Sequence, residues 1–227
     1  MREISKYFFT TDPVLESMPL YESQLFKAQL RLKRVRKGRE LFKEGSYPRE
    51  VYIVKRGRVK LYQHNSDGSE TIIYIYSSGE MFGYRPLLCG EKHPASAMTM
   101  EDCGIYTVSS KQFLGFLKAG NSLSTILLRN LSHEFTVLVN RIGAFDQKTV
   151  KERLALSLFI LREKYRKTGE RGQVEITLSR KDLAAYVGTS VETLARIITR
   201  FKQSGMIKTV GRSIAIVNDR ALMQVID

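Results

Sequence analysis

The stretch from Leu178 to Ile197, LSRKDLAAYVGTSVETLARI, constrains this chain more than any other, because its caps, glycine and apolar spacing describe two short helices joined by one tight turn. Ser179 is placed to cap the first helix, and Asp182 puts a carboxylate in its first turn, where unpaired N–H groups favour negative charge. Leu183, Ala184 and Val187 supply a buried face, and Gly188 supplies the positive φ that the turn needs. Thr189 or Ser190 then caps the second helix. In that helix Leu194, Ile197, Ile198 and Phe201 recur at helical spacing and should face the core, leaving Glu192, Ala195, Arg196, Thr199 and Arg200 outward. A Glu and an Arg four residues apart are also a common solvent-facing ion pair. One turn inside the second helix of a helix-turn-helix, however, the same pair is placed to enter the major groove of DNA.

Charge agrees with that partner. Lys and Arg number 37 against 23 Asp and Glu, a net charge of +14 that favours contact with a polyanion. No apolar run reaches the roughly 20 residues that span a bilayer, and the N-terminus lacks a signal-type segment, so a soluble, cytoplasmic chain without a membrane partner is expected. The two cysteines, Cys89 and Cys103, make neither a disulfide framework nor a four-thiolate site. His64, His93 and His133 are scattered, with no pair at metal-ligand spacing and no neighbouring carboxylate pattern of a catalytic dyad. We expect no metal and no enzyme.

Three segments follow along the chain. From about Leu32 to Val108 the text is strand-like, with Val51–Val54, Val59–Tyr62 and Thr71–Tyr76 bounded by turns at Gly57, Asn65–Gly68 and Ser78–Gly79. With no crossover helices between strands, the sheet should be antiparallel and close as a barrel or sandwich. From Asn121 to Phe145 the period changes: Leu128, Leu131, Phe135, Leu138, Ile142 and Phe145 step by three and four, the seam of a coiled coil. Val137 and Val139 make the helix apolar on a second side, so it should touch both its own barrel and a second copy. Thr149 to Glu152 reads as a capping box that opens a new helix running to about Arg166, and a hinge is expected at Gly143–Lys148. Gly205 stops the helix-turn-helix, and Met206–Val210 and Ser213–Val217 form a two-stranded wing with Arg212 at its tip.

The fold class expected is α+β: an N-terminal antiparallel β-barrel of jelly-roll, cyclic-nucleotide-binding-like type in residues 1–120, a long dimerisation helix and hinge in 121–148, and a winged helix-turn-helix in 149–227. That order resembles the CRP/FNR family of bacterial transcription regulators over nearly the whole chain. The resemblance is carried in the barrel by Gly38, Glu44-Gly45, Val51 to Gly57, Asp67-Gly68 and Gly79 to Gly83, and in the head by Gly188 to Arg196 and Phe201 to Met206. The head is similar to the FNR branch, with Val191 where the catabolite-activator branch carries arginine.

The resemblance implies that Glu192 and Arg196 are the base-reading pair, Arg donating to guanine O6 and N7 and Glu accepting from cytosine N4. Val191 would pack on a thymine methyl, giving TTGA-like half-sites in an inverted repeat, and Ala195 stands where the FNR branch has Ser. Arg180, Lys181, Ser190, Thr193 and Arg212 match positions that hold the DNA backbone. It implies a homodimer, RNA polymerase as a further partner, and a small-molecule effector in a pocket made by Gly83, Tyr84, Arg85, Ala95, Ser96 and Leu138.

That pocket departs from the cyclic AMP pattern. Tyr84 replaces the ribose-binding Glu, Pro94-Ala95 replaces the phosphate-binding Arg-Ser, and Leu138 and Val139 replace polar groups at the adenine. Without that arginine a buried phosphate lacks its main charge partner, so the effector expected is not cyclic AMP, although Arg85 offers another anion a place. The first thirty residues hold no cysteine for an iron–sulfur cluster. An alternative keeps DNA binding and discards the switch, as a constitutive regulator with a vestigial barrel. A regulatory module of a channel or kinase is opposed by the winged helix, and a cupin-like metalloenzyme by the scattered histidines.

Overall fold

The structure, a computed structural model, describes residues 4–7, 13–120, 122–166 and 172–226. Its contacts gather into two compact units, Thr10–Glu134 and Met1–Phe9 with Phe135–Asp227. Among the described residues no helix is long and apolar enough to cross a membrane.

The first unit opens with α1 (Val14–Ser17) and α2 (Leu20–Lys27). Eight strands follow: β1 (Arg31–Val35), β2 (Glu40–Phe42), β3 (Glu50–Arg56), β4 (Val59–His64), β5 (Glu70–Tyr76), β6 (Met81–Phe82), β7 (Ser96–Thr99) and β8 (Cys103–Ser109). Between β6 and β7 lies α3 (Arg85–Cys89), and after β8 comes α4 (Ser110–Lys118). The expected barrel is not closed. The strands form two four-stranded sheets, ordered β1-β8-β3-β6 and β2-β7-β4-β5, antiparallel throughout and jelly-roll-like. Each sheet therefore keeps open edges, and β1 guards its edge with Arg31, Lys33 and Arg34, since charge on an edge strand discourages pairing with a foreign strand.

The hairpin between β4 and β5 forms where Asn65 to Gly68 predicts it. Gly68 has φ +78, Asn65 N–H donates to Ser69 O at 2.8 Å, and the Ser69 hydroxyl and N–H hold the Asp67 carboxyl below the usual carboxylate range. Between the sheets Tyr52, Phe82 and Tyr76 stack, with ring centroids 5.2 and 4.6 Å apart. His93 is core, stacked on Phe42 at 3.8 Å, and burial lowers its imidazole pKa. On the outer face of the first sheet, Ile53 and Met81 meet Phe26 of α2, Phe113 and Phe116 of α4, and Leu123 and Ile126 of the next helix.

That helix, α5, spans Ser122–Gln147; Asn121, its expected first residue, lies outside the described residues. Leu123, Ile126 and Leu127 are buried against the outer face of the first sheet and Val137 is buried too, whereas Leu128, Phe135 and Ile142 are exposed and Val139, expected beside Val137 on the second side, is exposed with them. Leu131 of the expected seam is half-buried against the chain's own core. The segment expected as a hinge, Gly143–Lys148, is helical through Gln147, and Lys148 N–H bonds to Ala144 O at 3.1 Å.

In the second unit α6 (Val150–Tyr165) starts at a complete capping box, the Thr149 side chain accepting from Glu152 N–H while the Glu152 carboxylate accepts from Thr149 N–H at 2.6 Å. Every residue from Leu154 to Leu161 is buried, which makes α6 the central helix of the unit. Around it stand β9 (Ile176–Thr177), α7 (Arg180–Val187), α8 (Val191–Gln203), β10 (Ile207–Val210), β11 (Ser213–Ile216) and α9 (Asp219–Met223). We expect Thr149→Ala to lower the unit's stability by about 1 kcal/mol in urea unfolding, while Thr149→Ser changes little, because serine caps as threonine does.

Candidate nucleic-acid interface

Two caps and one glycine set the geometry of α7 and α8. The Ser179 hydroxyl accepts from Asp182 N–H at 3.0 Å at the start of α7, and the Ser190 hydroxyl accepts from Thr193 N–H at 3.1 Å at the start of α8. Between them Gly188 takes φ +71, and its N–H closes α7 on Ala184 O at 2.9 Å. A Cβ at Gly188 would stand 2.9 Å from a ring carbon of Phe145, so the last turn of α5 rests directly on the helix-turn-helix turn. Arg153 closes the arrangement from α6. Its guanidinium donates to Val187 O at 3.1 Å, Gly188 O at 3.0 Å and Lys148 O at 3.0 Å, and it lies over the Phe145 ring at 5.3 Å.

The face this presents is polar and open. Leu194, Ile198 and Phe201 point into the unit's core and Ile197 is half-buried, while Val191, Glu192, Ala195 and Arg196 are exposed along one side of α8. The Arg196 guanidinium donates to the Thr193 hydroxyl at 3.1 Å, which trims the rotamers it must search. Glu192's own backbone N–H and the Ser190 hydroxyl hold its carboxyl below the usual range, so it is an acceptor at neutral pH.

The five expected backbone contacts surround this face. Lys181, Ser190 and Arg212 are exposed, Thr193 and Arg180 half-buried, and Arg180 reaches the carbonyl of Arg212 at 3.5 Å. The wing carries Arg212 at its tip, with Val210 72% exposed beside it.

Other parts of the head lie outside the expected elements. The wing has a third strand, since β9 pairs with β11 through Thr177↔Ser213 and Ile214↔Ile176. Asn218 caps α9, and Arg162 holds Asp219 with contacts of 2.8 and 2.6 Å. Arg153 went unread because a cation on an early helix turn looks like a solvated one; its nearness to the Thr149 cap is the only hint.

The residues that the resemblance assigns to an effector pocket are mostly engaged within the protein. Tyr84 is 1% exposed, and a cavity of only about 10 Å³ lies beside it and Tyr76, Glu80 and Glu134. Arg85 is committed to the Glu134 carboxylate and, at 3.3 Å, to the Tyr76 hydroxyl. Ser96 is buried with its hydroxyl accepting from Glu44 N–H at 2.9 Å, Ala95 is buried, and Gly83 backs onto the Tyr52 ring. Leu138 belongs to the other compact unit and is 37% exposed. Apart from Leu138, side chains that the resemblance groups as a pocket are thus engaged by the protein itself.

The cyclic nucleotide-binding domain model matches residues 32–119, and the Crp-like helix-turn-helix domain model matches residues 152–225. The chain belongs to the CRP/FNR family of transcription regulators. Within that family it is similar to the fumarate and nitrate reduction regulatory protein of Vibrio cholerae, 28% identical over 195 residues, which are 86% of this chain and 78% of the relative. Two solved structures share the CRP/FNR fold. FixK2 from Bradyrhizobium japonicum has a TM-score of 0.76 at 23% identity, covering 86% of this chain and 96% of its own. The c-di-GMP responsive global regulator CLP of Xanthomonas campestris has a TM-score of 0.73 at 18% identity, covering 87% and 99%.

Arg153→Ala should destabilise the head by about 2 kcal/mol, the scale of losing charge-assisted hydrogen bonds to carbonyls left half-satisfied. Operator affinity should fall with base preference unchanged, and Arg153→Lys should not restore it, because an ammonium cannot reach three carbonyls in a fork. Thermal melts with a competition assay on single-base operator variants check both parts.

Proposed function

We propose that this regulator acts in the cytoplasm as a homodimer on an inverted-repeat DNA operator with TTGA-like half-sites. The observation that carries the reading is the open face of α8, where Glu192 and Arg196 stand exposed one turn apart above the Ser190 cap. Arg196 would donate to guanine, Glu192 would accept from cytosine, Val191 would meet a thymine methyl, and Ala195 would leave the adjoining base unread by hydrogen bonds. Arg180, Lys181, Ser190, Thr193 and Arg212 would hold phosphates and set register.

Dimerisation is supported by α5. Phe135 and Ile142 are each 70% exposed, Leu128 67% and Val139 52%, more apolar surface than one helix leaves in water without a partner. A second copy of the same helix covers it with the same residues, as a two-fold interface requires. RNA polymerase is the further partner that a transcription regulator of this family would meet.

For the sandwich we infer gating by an effector other than cyclic AMP, since the arginine and glutamate of that site are replaced by Pro94 and Tyr84. A second reading, constitutive binding with a vestigial sandwich, gains support from the ion pair of Arg85 with Glu134 and from the small volume beside Tyr84. Operator affinity measured with the purified protein alone, then with added nucleotides or small-molecule extract, separates them: a switch needs unequal affinity for ligand in its two states. Full affinity alone, unmoved by any addition, supports the second reading.

Arg196→Ala should cost about 1–3 kcal/mol on the preferred operator and relax specificity at one base pair, whereas Arg212→Ala should weaken all duplexes alike and flatten the salt slope by about 1. If the two variants behave identically across operator mutants, the roles are misassigned. Phe135→Glu with Ile142→Glu should yield monomers in sedimentation and abolish operator binding at concentrations where the parent is saturated; a dimeric double variant excludes α5 as the interface.

A further inference from the structure

The sandwich carries a concentration of charge that its fold does not require. Residues 31–60 hold twelve Lys and Arg against three Glu, whereas the rest of the Thr10–Glu134 unit holds six against ten acids. Strand register decides where that charge goes. β8 lies between β1 and β3, so Arg34, Gly104 and Arg56 stand in one row across the sheet. Gly104 contributes no side chain, which leaves two guanidinium arms, about 10 Å apart at their backbones by strand spacing, with an empty place between them. A register shift between Val54 and Arg56 turns both Lys55 and Arg56 to solvent. With Arg36 they line an open trough of about 540 Å³ whose other walls include Leu32 and Cys103.

The trough has little internal compensation. The one acid lining it, Asp102, already accepts the Lys37 N–H at 2.9 Å. Neighbouring cations find carboxylates, Lys33 at Glu50 and Arg58 at Glu101. Among the described residues no ion pair engages Arg34, Arg36, Lys55 or Arg56, and Lys55 rests over the Tyr106 ring at 5.3 Å. One or two charges suffice to guard a sheet edge; four around a groove repel one another until an anion arrives.

We propose that this trough is a second contact surface for duplex DNA, taking the sugar-phosphate backbone without regard to base sequence. It rests on the reading of the head as a duplex binder and adds a contact on the other compact unit. An open, fully hydrated row of cations suits a polyelectrolyte, whose bound counterions are released on contact. A mononucleotide needs an enclosed, largely apolar cavity to be held. The core of a protein interface is rich in aromatics and poor in charge, and here Leu32 is the main exposed apolar side chain.

The test uses the full-length protein and two duplexes with the same inverted repeat, one ending at the repeat and one extended by about two helical turns on each side. The parent should hold the extended duplex more tightly, with a log–log salt slope steeper by about 2, as about 0.9 per phosphate predicts. The variant Arg34→Ala, Arg36→Ala, Lys55→Ala, Arg56→Ala should lose that gain while binding the short duplex as the parent does, which also shows that it is folded. Should the fourfold variant misfold, Arg34→Ala with Arg56→Ala is read the same way and should lose about half the extra slope. Replacing the three arginines by lysine should preserve the gain, because backbone charge is indifferent to guanidinium shape.

Equal affinity of the parent for both duplexes, or a gain that survives in the alanine variants, overturns the proposal. So does loss of the gain in the lysine variant, which would mean recognition of a shaped ligand. Polyglutamate competing for the trough more strongly than random duplex would make an acidic protein the occupant and overturn it as well. If the short duplex is not bound at all, the head reading is what has failed. The trough is then judged on random-sequence duplex, where a flatter salt slope in the alanine variant supports it and an unchanged slope overturns it.

Discussion

The angle at Gly188 is held from three directions, and the reading face of α8 depends on all of them. The backbone itself demands φ +71, which a residue with a Cβ enters only at a cost of about 1–2 kcal/mol. Phe145 fills the space where that Cβ would go, and Arg153 ties the carbonyls of Val187 and Gly188 to that of Lys148. One guanidinium therefore joins the turn of the head to the junction between α5 and α6, and the ring it covers belongs to the last turn of α5. Phe145 is 40% exposed, so the same side chain serves the turn on one side and remains available to a second copy on the other. A displacement of the end of α5 cannot leave the α7–α8 angle untouched, because packed aromatic and hydrogen-bonded contacts shift between discrete arrangements rather than stretching.

Features governed by near neighbours in the chain were legible in the sequence. Ser179 with Asp182, Thr149 with Glu152, and Asn65 to Gly68 each satisfy their own backbone within four residues, so their hydrogen bonds follow from residue type and spacing alone. The apolar period of α8 was equally plain. What escaped depends on distant partners. β9 is two residues long and exists because Ser213 and Ile214 pair with it from far along the chain. The difference between one closed barrel and two sheets lies in which edges pair, and alternation within a strand is silent on that. Leu131 matches the heptad steps and is half-buried on the chain's own core, since a heptad marks only an apolar stripe and does not say whose surface covers it. The expected pocket residues follow a related rule: Arg85, Ser96 and Tyr84 offer chemistry suited to a ligand, and only the fold reveals that Glu134, Glu44 and the core use the same groups.

Arg85 and Glu134 form an ion pair that the sandwich cannot give up cheaply. Glu134 is 5% exposed, so losing the Arg85 charge leaves a buried carboxylate less compensated, a change that costs more than a surface pair is worth. An anion arriving at Arg85 must therefore either compete with Glu134 or bind elsewhere. Displacement also has a direction, because Glu134 sits on α5 and the helix continues unbroken for about three turns to Phe145. Under the gated reading, the contacts a ligand would have to perturb include this one carboxylate, and the contact that matters to the head is the Phe145 ring against Gly188. Under the constitutive reading the same pair does what a ligand does elsewhere, holding α5 to the sandwich with a charge the protein supplies itself. Both readings place the decisive interaction at Arg85 and Glu134, and they differ only in whether anything in the cell competes for it.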